Sequence, residues 1–473
     1  MKKVLLILSV IALTSCSSTG QAADNKGKTA AEKIPDNGSV VINLAVCNYN
    51  NLFIGSDPVK EFNALDNGYY INIVDYSSNY DIDLDTESAD SSDKISEAYA
   101  NADNDFILDV LYGDKVDMTM KFIDEGRFDS LAEKGAFVDL YTFMENDDTI
   151  NKDTLNSHVL ELCEKSGKLY YMPLAFSVGT MCGYETNVGT DENWTIDEMK
   201  ERWGKMPKGA SFTKASSTNT AYSVFFDFCM NCTPSFIDYD NHKCNFNSDE
   251  YIELLKFANS FDTESLVEKE DVQYVDFFVY PVTICGFQQF HELVNDDTFN
   301  KPVTFVGYPS VEKSHSYIDI DNTFAICASA SPEVQKGAWE FMRYMEGYDY
   351  QSSIMKPTVN DSSEEAAFYE PNSELFFPMN NEAFNKNADE LISKQGEKNI
   401  VTKQGAEYDI GYLSSSEFER LNHIIDMTNQ LNFGDRTISR IIYNEVFAML
   451  NGEISPEQAA ENIQQTVTLK INE

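Results

Sequence analysis

Basic residues are scarce in this 473-residue chain, which has 35 lysines and arginines against 78 aspartates and glutamates. The formal net charge is -43 at neutral pH. Nucleic-acid binding needs a basic surface that neutralises phosphates, so this composition argues against a nucleic-acid partner. Anionic lipid headgroups would be repelled for the same reason. The sign of the charge favours neutral or cationic ligands.

Long apolar runs are missing after residue 16. None of them approaches the roughly 20 residues that a membrane-spanning helix requires, so no span is predicted in that part of the chain. A core of ordinary size is available, since 42% of the residues are hydrophobic. The length suits two or three domains.

The N-terminus reads as a targeting segment rather than as part of the fold. Lys2 and Lys3 precede a short apolar run, and Leu13-Thr14-Ser15-Cys16 then resembles a bacterial lipobox. In such signals the cysteine thiol is joined to lipid as a thioether, which predicts a signal peptide over 1–16 and an anchor at Cys16. A simple secretory signal with an incidental cysteine is the alternative. Residues 17–39 are small and polar and are expected to form a flexible tether.

Catalytic motifs are also missing. The chain contains no Gly-x-Ser-x-Gly, no His-Glu-x-x-His and no phosphate-binding Gly-x4-Gly-Lys-[Ser/Thr]. His291-Glu292 lacks the second histidine of a metalloprotease motif. Paired carboxylates of the glycosidase type can always be found among 78 acidic residues, so they carry little information. No catalytic residue and no cofactor are expected.

Eight cysteines follow Cys16, and their scatter does not resemble a small disulfide framework. Cys229-Met230-Asn231-Cys232, together with His242 and Cys244, has the ligand types of a zinc site. A second Cys-x-x-Cys is missing, however. The sequence favours buried free thiols, with a local disulfide and a metal site as the two alternatives. No metal is expected.

Apolar runs and helical patterns alternate in the first part of the chain. This alternation predicts a parallel βαβ sheet, and ligands bind such sheets at the carboxyl ends of the strands. Asn48–Asn51 and Tyr112–Asp114 are the loops predicted at those ends. The predicted elements are a strand at Val40–Val46, a helix at Asp57–Leu65, a strand at Tyr69–Tyr76, a helix at Lys94–Ala102, a strand at Phe106–Leu111 and a helix at Lys115–Gly126.

Gly167–Asn187 is the stretch around which the rest of the chain is predicted to be organised. Pro173 lacks a backbone donor, which disfavours a central strand position there. Small residues, among them Ser177 and Gly179, leave room for close approach to the backbone. The pattern fits an ordinary edge strand or a segment that crosses between two lobes beside a ligand cleft. Phe324–Ala328 is a second candidate crossing.

Two helix starts are also predicted from local chemistry. Thr195-Ile196-Asp197-Glu198 has the form of a capping box. Ser331-Pro332-Glu333 places a capping serine before a proline at the first helical position.

Several separated segments together resemble one family, the extracellular solute-binding proteins that include maltodextrin-binding and multiple-sugar-binding lipoproteins of ABC importers. Each segment is weak by itself, but they stand in the family's order over nearly all of the chain after the signal. They are the lipobox, Phe62-Asn63, Phe106–Val110 where the family has Pro-Asp-Ile, Lys134–Leu140, Gly167–Asn187, Trp194–Glu198, Gly307–Ser310, Phe324–Ile326, Ala338–Phe341 and Ser455–Ala460.

The resemblance implies an α/β, two-lobed periplasmic-binding-protein-like fold with hinge crossings and a ligand cleft between the lobes. Lobe I would comprise 40–174 and 323–358, and lobe II would comprise 175–322 and 359–473. The protein would capture a small neutral solute, a mono- or oligosaccharide, by hinge closure and would present it to ABC permease subunits. It would act without catalysis, as a monomer anchored at the outer face of the bacterial cytoplasmic membrane.

The resemblance also implies ligand contacts, because sugars need aromatic faces and polar groups. Ser177 stands where the maltodextrin-binding relative has a carboxylate, and Phe287 falls near a stacking tryptophan. These two departures leave the sugar open. The full set of predicted ligand-binding residues is Asn48, Tyr49, Asn50, Tyr112, Asp114, Phe176, Ser177, Phe287 and Gln288.

Two alternatives remain open at this level. The same trap could take a peptide, a polyamine or another cationic solute, which the negative charge would suit. A secreted, lipid-anchored glycosidase is the second alternative, and it would hydrolyse oligosaccharides rather than release them unchanged.

Overall fold

The computed structural model describes most of the chain after the predicted tether. The described residues are 38–47, 57–80, 89–113, 115–123, 125–213, 220–239, 241–261, 277–295, 302–311, 313–354, 376–403, 406–432 and 435–472. Among the helices in these ranges, none is long and apolar enough to cross a membrane.

The strands are β1 Val40–Val46, β2 Tyr69–Asp75, β3 Met118–Met120, β4 Met172–Tyr184, β5 Ser211–Thr213, β6 Ile237–Asp238, β7 Lys243–Cys244, β8 Phe277–Ile284, β9 Val303–Phe305, β10 Tyr317–Ile326, β11 Phe377–Pro378, β12 Ile400–Lys403, β13 Ala406–Asp409 and β14 Gln430–Leu431.

The α-helices are α1 Pro58–Asn63, α2 Ala89–Tyr112, α3 Glu125–Glu133, α4 Tyr141–Met144, α5 Ser157–Cys163, α6 Glu185–Val188, α7 Ile196–Trp203, α8 Ala221–Val224, α9 Met230–Cys232, α10 Asp249–Asn259, α11 Phe287–Asn295, α12 Pro332–Glu346, α13 Tyr348–Ile354, α14 Asn381–Ser393, α15 Ser415–Asp426, α16 Arg436–Leu450 and α17 Pro456–Lys470. Tyr76–Asn79 and Thr233–Phe236 are 3₁₀ turns, and Phe225–Cys229 is a π-helical turn.

The chain divides into two compact units. The first contains residues 1–123, 127–176 and 320–387, and the second contains 124–126, 177–319 and 388–473. β4 runs from the first unit into the second, and β10 runs in the opposite sense. The predicted boundary of lobe I lay at residue 358, whereas the first unit continues to residue 387. The lobes themselves, as bodies that move, stay a prediction.

The sheet of the first unit is built around β1, whose inward residues are fully buried. β2 and β3 both pair parallel to β1, and β10 pairs antiparallel to β3 through Phe324 and Met120. The parallel β1–β2 pair confirms the expectation from the strand–helix alternation. α12 packs on β1, where Gly337 allows close approach, since a Cβ there would lie 2.9 Å from Ile42 Cδ1.

Two expectations in this unit were wrong. Phe106–Leu111 was predicted as a strand, but it belongs to α2. Ala102, Phe106 and Val110 recur every four residues and are all buried, so the apolar spacing of this segment is helical. The predicted helix at Lys115–Gly126 instead contains β3, and α3 begins only at Glu125. β3 is therefore the strand that lies parallel to β1, in place of Phe106–Val110.

The second unit combines a short sheet with an aromatic core. β8 pairs antiparallel to β4 and parallel to β5, and β9 pairs antiparallel to β4. Phe212 packs edge-on against Phe228 and Phe257 with ring centroids 5.1 and 5.2 Å apart. Trp194 is buried in the same core and donates from Nε1 to the carbonyl of Gly307 at 3.0 Å. These contacts fix α7 and α10 around the strands.

Both predicted helix starts are confirmed. The Thr195 side chain accepts from the Glu198 backbone, and Glu198 returns a carboxylate to the Thr195 backbone. Ser331 caps α12 by accepting from Val334, with Pro332 in the first turn. Local capping chemistry was sufficient in both cases.

Candidate ligand-binding site

The second unit contains a π-helical turn that carries a carboxylate. Thr220 opens the helical run with a capping box, α8 follows, and Phe225–Cys229 then widens into the π-turn. Such turns are rare and occur frequently at functional sites. Asp227 lies in the middle of this one. The neighbouring rings of Phe225 and Phe228 are fully buried, so the turn is anchored in the core around Asp227.

The Asp227 carboxylate is half-buried, and among the described residues no lysine, arginine or histidine pairs with it. Burial raises the pKa of Asp227 to about 6, and no hydrogen bond to its side chain opposes this shift within the described residues. Desolvation of a carboxylate is costly unless a donor or a cation compensates it. Asp227 is thus a negative group that an incoming ligand can satisfy.

A pair of stacked tyrosines stands near Asp227. The rings of Tyr308 and Tyr317 are 5.8 Å apart with planes inclined by 19°. After burial itself, the charge of Asp227 is among the groups that raise the pKa of Tyr308, and the charge of Asp319 contributes in the same way at Tyr317. Each ring therefore lies within electrostatic range of one carboxylate, Tyr308 of Asp227 and Tyr317 of Asp319.

Hydrogen bonds through His315 and Asn231 connect this tyrosine pair to the π-turn. Tyr308 and His315 exchange two backbone hydrogen bonds of 2.7 and 2.8 Å. The His315 ring donates from Nε2 to the carbonyl of Asn231 at 2.8 Å, and the Asn231 side chain donates to the carbonyl of Asp227 at 3.3 Å. Burial lowers the pKa of His315, so its ring is neutral at pH 7. A neutral ring with its proton on Nε2 suits this single carbonyl acceptor.

Asp319 lies two residues after Tyr317 on β10. Burial raises the pKa of Asp319, and a side-chain hydrogen bond from Asn432 opposes the shift only in part. The backbone of Asn432 donates to the carbonyl of Ile318 at 2.7 Å, which places the amide beside the strand. Asp319 is therefore a second desolvated carboxylate, and its partner is neutral.

β4 supplies the small residues next to Tyr317. A Cβ at residue 179 would lie 2.6 Å from Tyr317 Oη, so only glycine leaves space for this ring. Ser177 is two residues earlier and thus on the same face of the strand. Its Oγ is buried and finds no hydrogen-bond partner among the described residues. A buried hydroxyl of this kind is uncommon and is available to a ligand.

A row of half-buried aromatic rings continues from the π-turn to α16. Phe226 and Tyr443 have ring centroids 5.2 Å apart, and Tyr443 and Phe447 stack at 6.0 Å. Tyr222 adds a fourth ring, 5.8 Å from Phe447. Such partly exposed faces are suited to the C–H side of a sugar ring.

In the first unit, the carboxyl end of β3 presents a cation among aromatic rings. Lys121 follows the strand directly, and its Nζ lies 4.5 Å from the Tyr171 ring centre and 5.4 Å from that of Phe128. Phe122 is half-buried and packs on Phe106 at 4.8 Å. This edge is where ligands bind parallel sheets.

A separate groove of about 710 Å³ lies in the first unit beside α12. Arg343, Glu340 and Tyr344 in its lining already have partners. Arg343 contacts Asp147 at 2.8 Å and Glu340 at 2.9 Å, and Tyr344 donates to Glu61 at 2.8 Å. Asn67, Asp153 and Thr154 also line this groove.

Of the residues predicted to bind ligand, Ser177 belongs to the cluster around Tyr317. Phe176 is fully buried in the first unit and packs on Phe377 and Phe384 at 5.5 and 6.3 Å. Tyr112 is 83% exposed at the end of α2, rather than after a strand. This correction follows from the helical spacing of that segment.

Phe287 and Gln288 are buried at the start of α11 in the second unit. Phe287 packs edge-on against Phe418 at 5.8 Å, and Gln288 donates to the carbonyl of Gly411 at 3.1 Å. Asn48, Tyr49, Asn50 and Asp114, like the lipobox Cys16, lie outside the described residues.

The cysteines near the π-turn are free thiols in the core. Cys229 and Cys232 are fully buried, and burial raises the pKa of both thiols. Cys244 lies 3.3 Å from the Thr468 hydroxyl, and His242 contacts the carbonyl of Ile471 at 2.7 Å. In the described part of the chain, no group of three or more candidate ligands could hold a metal ion.

Sequence reasoning missed Asp227, Tyr308, Tyr317 and Asp319 as site residues. One signal was present, because Phe225-Phe226-Asp227-Phe228 places a carboxylate inside an aromatic run. A charge in such a run is buried or functional. The tyrosine pair had no comparable signal, since its position depends on the space at Gly179 and on the His315 bond to Asn231.

The second unit, with an unpartnered buried hydroxyl and partly exposed aromatic faces, has features of a protein that binds a small molecule. The chain belongs to the bacterial extracellular solute-binding protein family, whose model matches residues 59–376. The expectation of a solute-binding protein rather than an enzyme is thereby confirmed. The family also places the protein outside the cytoplasm. A search of functionally curated proteins finds no match.

Solved structures agree on the fold. An ABC substrate-binding protein from Listeria monocytogenes, in complex with cycloalternan, is 15% identical with a TM-score of 0.50, over 92% of this chain and 99% of that one. The sugar-binding protein MalE from Xanthomonas citri is 9% identical with a TM-score of 0.52, over 92% and 98%. The periplasmic-binding-protein-like fold expected from the sequence is confirmed.

Proposed function

We propose that this protein is the lipid-anchored substrate-binding component of an ABC importer and that it captures a carbohydrate. The observation that carries the proposal is the group in the second unit where the unpartnered Ser177 hydroxyl lies on the strand face next to Tyr317, whose ring stacks on Tyr308. Sugar recognition uses this combination, because ring C–H faces stack on aromatics and hydroxyls bond to polar groups.

Two further observations support a carbohydrate. The row of rings from Phe226 through Tyr443 to Phe447 is longer than a single sugar ring can cover, which suits an oligosaccharide. The similar structures from Listeria monocytogenes and Xanthomonas citri are described as cycloalternan-bound and as sugar-binding. The glycosidase alternative is set aside, because the family consists of binding proteins.

Hinge closure of lobes I and II around the ligand is part of the proposal, as are the loop residues Asn48, Tyr49, Asn50 and Asp114. Scattering measurements with and without ligand would test closure, since the radius of gyration falls when a trap closes. An unchanged radius at saturating ligand would contradict hinge closure.

The binding function is tested by calorimetry and thermal shift with a panel of mono- and oligosaccharides, peptides and polyamines. A ligand that binds only the folded protein raises its apparent stability. Tyr317→Ala should weaken sugar binding at least tenfold, because it removes a stacking face. Tyr112→Ala is the matched control on an exposed tyrosine. Equal affinities of the two variants would contradict the site, and the absence of any sugar ligand would contradict the function.

The anchor and the oligomeric state are separate parts of the proposal. Cys16→Ala should release the protein from the cell surface, because the thioether can no longer form. Metabolic labelling with palmitate distinguishes this result from a general secretion defect, since unmodified protein would carry no label. The protein without its signal should elute as a monomer on calibrated size exclusion, whereas a dimer would overturn that expectation.

A further inference from the structure

Four strands lie side by side in the second unit, and the two faces of this part of the sheet differ. β4 has β8 on one side and β10 on the other, and β14 pairs with β10. Val178, Ile284 and Ile318 are fully buried on one face. Because side chains alternate along a strand, the residues next to them point to the opposite face. That opposite face is the one that carries polar residues.

A contact between two side chains fixes the register of β4 and β10. Thr180 Oγ1 lies 2.7 Å from Ser316 Oγ, so these two residues stand opposite each other. The strands run in opposite senses, and three residues along them Ser177 stands opposite Asp319. Residues opposite each other in this way have Cβ atoms about 5 Å apart. Tyr317 precedes Asp319 by two residues and therefore lies on the same face.

β14 and β8 extend this face on both sides. Gln430 of β14 is the parallel partner of Tyr317, so their two side chains leave the same side of the sheet. Thr283 of β8 is the partner of Gly179, which meets the Tyr317 ring on this face. The face therefore presents hydroxyl, carboxylate and amide groups from four neighbouring strands, namely Thr283, Ser177, Tyr317, Asp319 and Gln430.

Two polar groups on this face have no partner. Ser177 Oγ and Gln430 Nε2 are buried atoms that make no hydrogen bond to any of the described residues. Such groups are uncommon and costly. The same face reaches solvent, because Thr283 is exposed and Tyr317 and Asp319 are half-buried. A ligand on this face would supply the hydrogen bonds that the folded chain leaves unmade.

The chemistry of these groups indicates what the ligand must offer. Gln430 Nε2 can only donate, the ionised Asp319 carboxylate can only accept, and the Ser177 hydroxyl can do either. A hydroxyl group both donates and accepts, so neighbouring hydroxyls of a sugar would satisfy all three. A ligand carboxylate could accept from Gln430 but would be repelled by the charge of Asp319.

We propose that Ser177, Asp319 and Gln430 form a hydroxyl-binding surface for a neutral sugar. Gln430 donates to one hydroxyl of the ligand, and Asp319 accepts from that hydroxyl or from its neighbour. This inference rests on the proposed carbohydrate-binding function and narrows it to sugars without an acidic group. It also adds Gln430, from a strand that enters the sheet late in the chain, to the ligand-binding residues.

Calorimetry with maltose, cellobiose and lactose tests the inference, each beside the disaccharide in which glucuronic acid replaces a glucose. Gln430→Met keeps the length of the side chain and removes its donor, so it should weaken binding of a neutral sugar by about fivefold or more. Gln395→Met, at an exposed position in the same unit, should leave the affinity within about twofold. The acidic sugar should bind the wild-type protein about tenfold more weakly than its neutral counterpart, and Asp319→Asn should reduce this ratio.

Urea unfolding of the unliganded variant gives a second readout that needs no ligand. The midpoint of Gln430→Met should equal or exceed that of the wild-type protein, because no hydrogen bond is lost. A lower midpoint would show that the amide is already satisfied in the folded protein and would overturn the inference.

The binding outcomes separate the two proposals. If Gln430→Met and the wild-type protein bind a neutral sugar equally well, the inference is overturned and the carbohydrate function stands. If the acidic sugar binds as tightly as the neutral one, the exclusion of acidic sugars is overturned. If none of the three neutral sugars binds the wild-type protein, the carbohydrate function and the inference that rests on it both fail.

Discussion

The Tyr317 ring occupies the space that a side chain at Gly179 would need, since a Cβ at residue 179 would lie 2.6 Å from Tyr317 Oη. The glycine thus determines where the aromatic ring stands. This pair links β4 to β10 within the second unit and sets the ring that is proposed to stack on the ligand.

Gly179→Ala should displace Tyr317 and weaken both folding and binding. Overpacking of this kind costs about 1–3 kcal/mol of unfolding free energy. Urea unfolding measures the stability, and calorimetry measures the affinity for the ligand found in the panel. Gly204→Ala is the control, because a Cβ there meets nothing closer than 3.5 Å. Equal stability of the two variants would contradict the close fit.

Ser177→Ala and Thr180→Val should have opposite effects on the unliganded protein. The Ser177 hydroxyl has no partner in the described residues, so its removal should leave stability unchanged or raise it slightly. Thr180 Oγ1 lies 2.7 Å from Ser316 Oγ, so its removal should cost about 1 kcal/mol. Ligand affinity should fall with Ser177→Ala. A marked destabilisation by that variant would show that its hydroxyl is satisfied in the folded protein.

His291 and Glu417 should stabilise the second unit over a limited pH range. The two His291 nitrogens contact Glu417 at 2.8 Å and the carbonyl of Ile410 at 2.7 Å, and both partners are acceptors. The ring is therefore a donor at both nitrogens, as in an imidazolium. Hydrogen bonds and the charge of Glu417 raise the pKa of His291 despite its burial, while His291 and its neighbours lower the pKa of Glu417 to about 2.

The sign of each shift defines the range. Glu417 stabilises the folded protein above its unfolded pKa of about 4.3, and this stabilisation is lost as the pH falls towards 2. His291 stabilises the folded protein below pH about 6.5, and this stabilisation is lost as the pH rises through the raised pKa of His291. His291→Gln should therefore cost most near pH 5–6, about 3 kcal/mol in urea unfolding. His423→Gln, at an exposed pair with Glu192, should cost under about 1 kcal/mol at every pH. A cost for His291→Gln that does not vary with pH would exclude this ion pair.

Glu346 should make the first unit less stable as the pH rises. It is buried at the end of α12, its Oε2 has no partner within the described ranges, and burial raises the pKa of Glu346 well above its usual value. The contribution of Glu346 to the free energy of unfolding is complete below its unfolded pKa of about 4.3. It is lost as the pH rises through the pKa of Glu346 in the folded protein. Glu346→Gln should add about 1 kcal/mol at pH 7 and less at pH 5. Glu145→Gln, on an exposed side chain, should add nothing; a similar gain for both would refute the prediction.

The sequence was most informative where structure is decided locally. The strand at Val40–Val46 and the capping chemistry of Thr195 and Ser331 depend on neighbouring residues alone, and the structure places them as predicted. Phe106–Leu111 was misread because six residues are too few to separate the two periods. The buried positions extend back to Ala102, and only this longer window reveals the helix.

The site was less accessible from the sequence for a different reason. Ser177 was found because small residues in an apolar strand are a local signal. Tyr308 and Tyr317 meet only after β10 has passed beside the π-turn, and their positions depend on the space at Gly179 and on the His315 bond to Asn231. Contacts between distant segments leave no periodicity in the sequence.

The π-turn at Phe225–Cys229 makes the second unit sensitive to residue number rather than residue type. A π-turn holds one more residue than an α-turn needs, so deletion of a single residue there would let the helix continue as a regular α-helix. Each residue corresponds to about 100° around the axis, so everything on one side of the deletion would rotate by that angle relative to the other. Asp227 would then leave the tyrosines while the core helices persisted. A one-codon deletion could thus separate ligand recognition from folding.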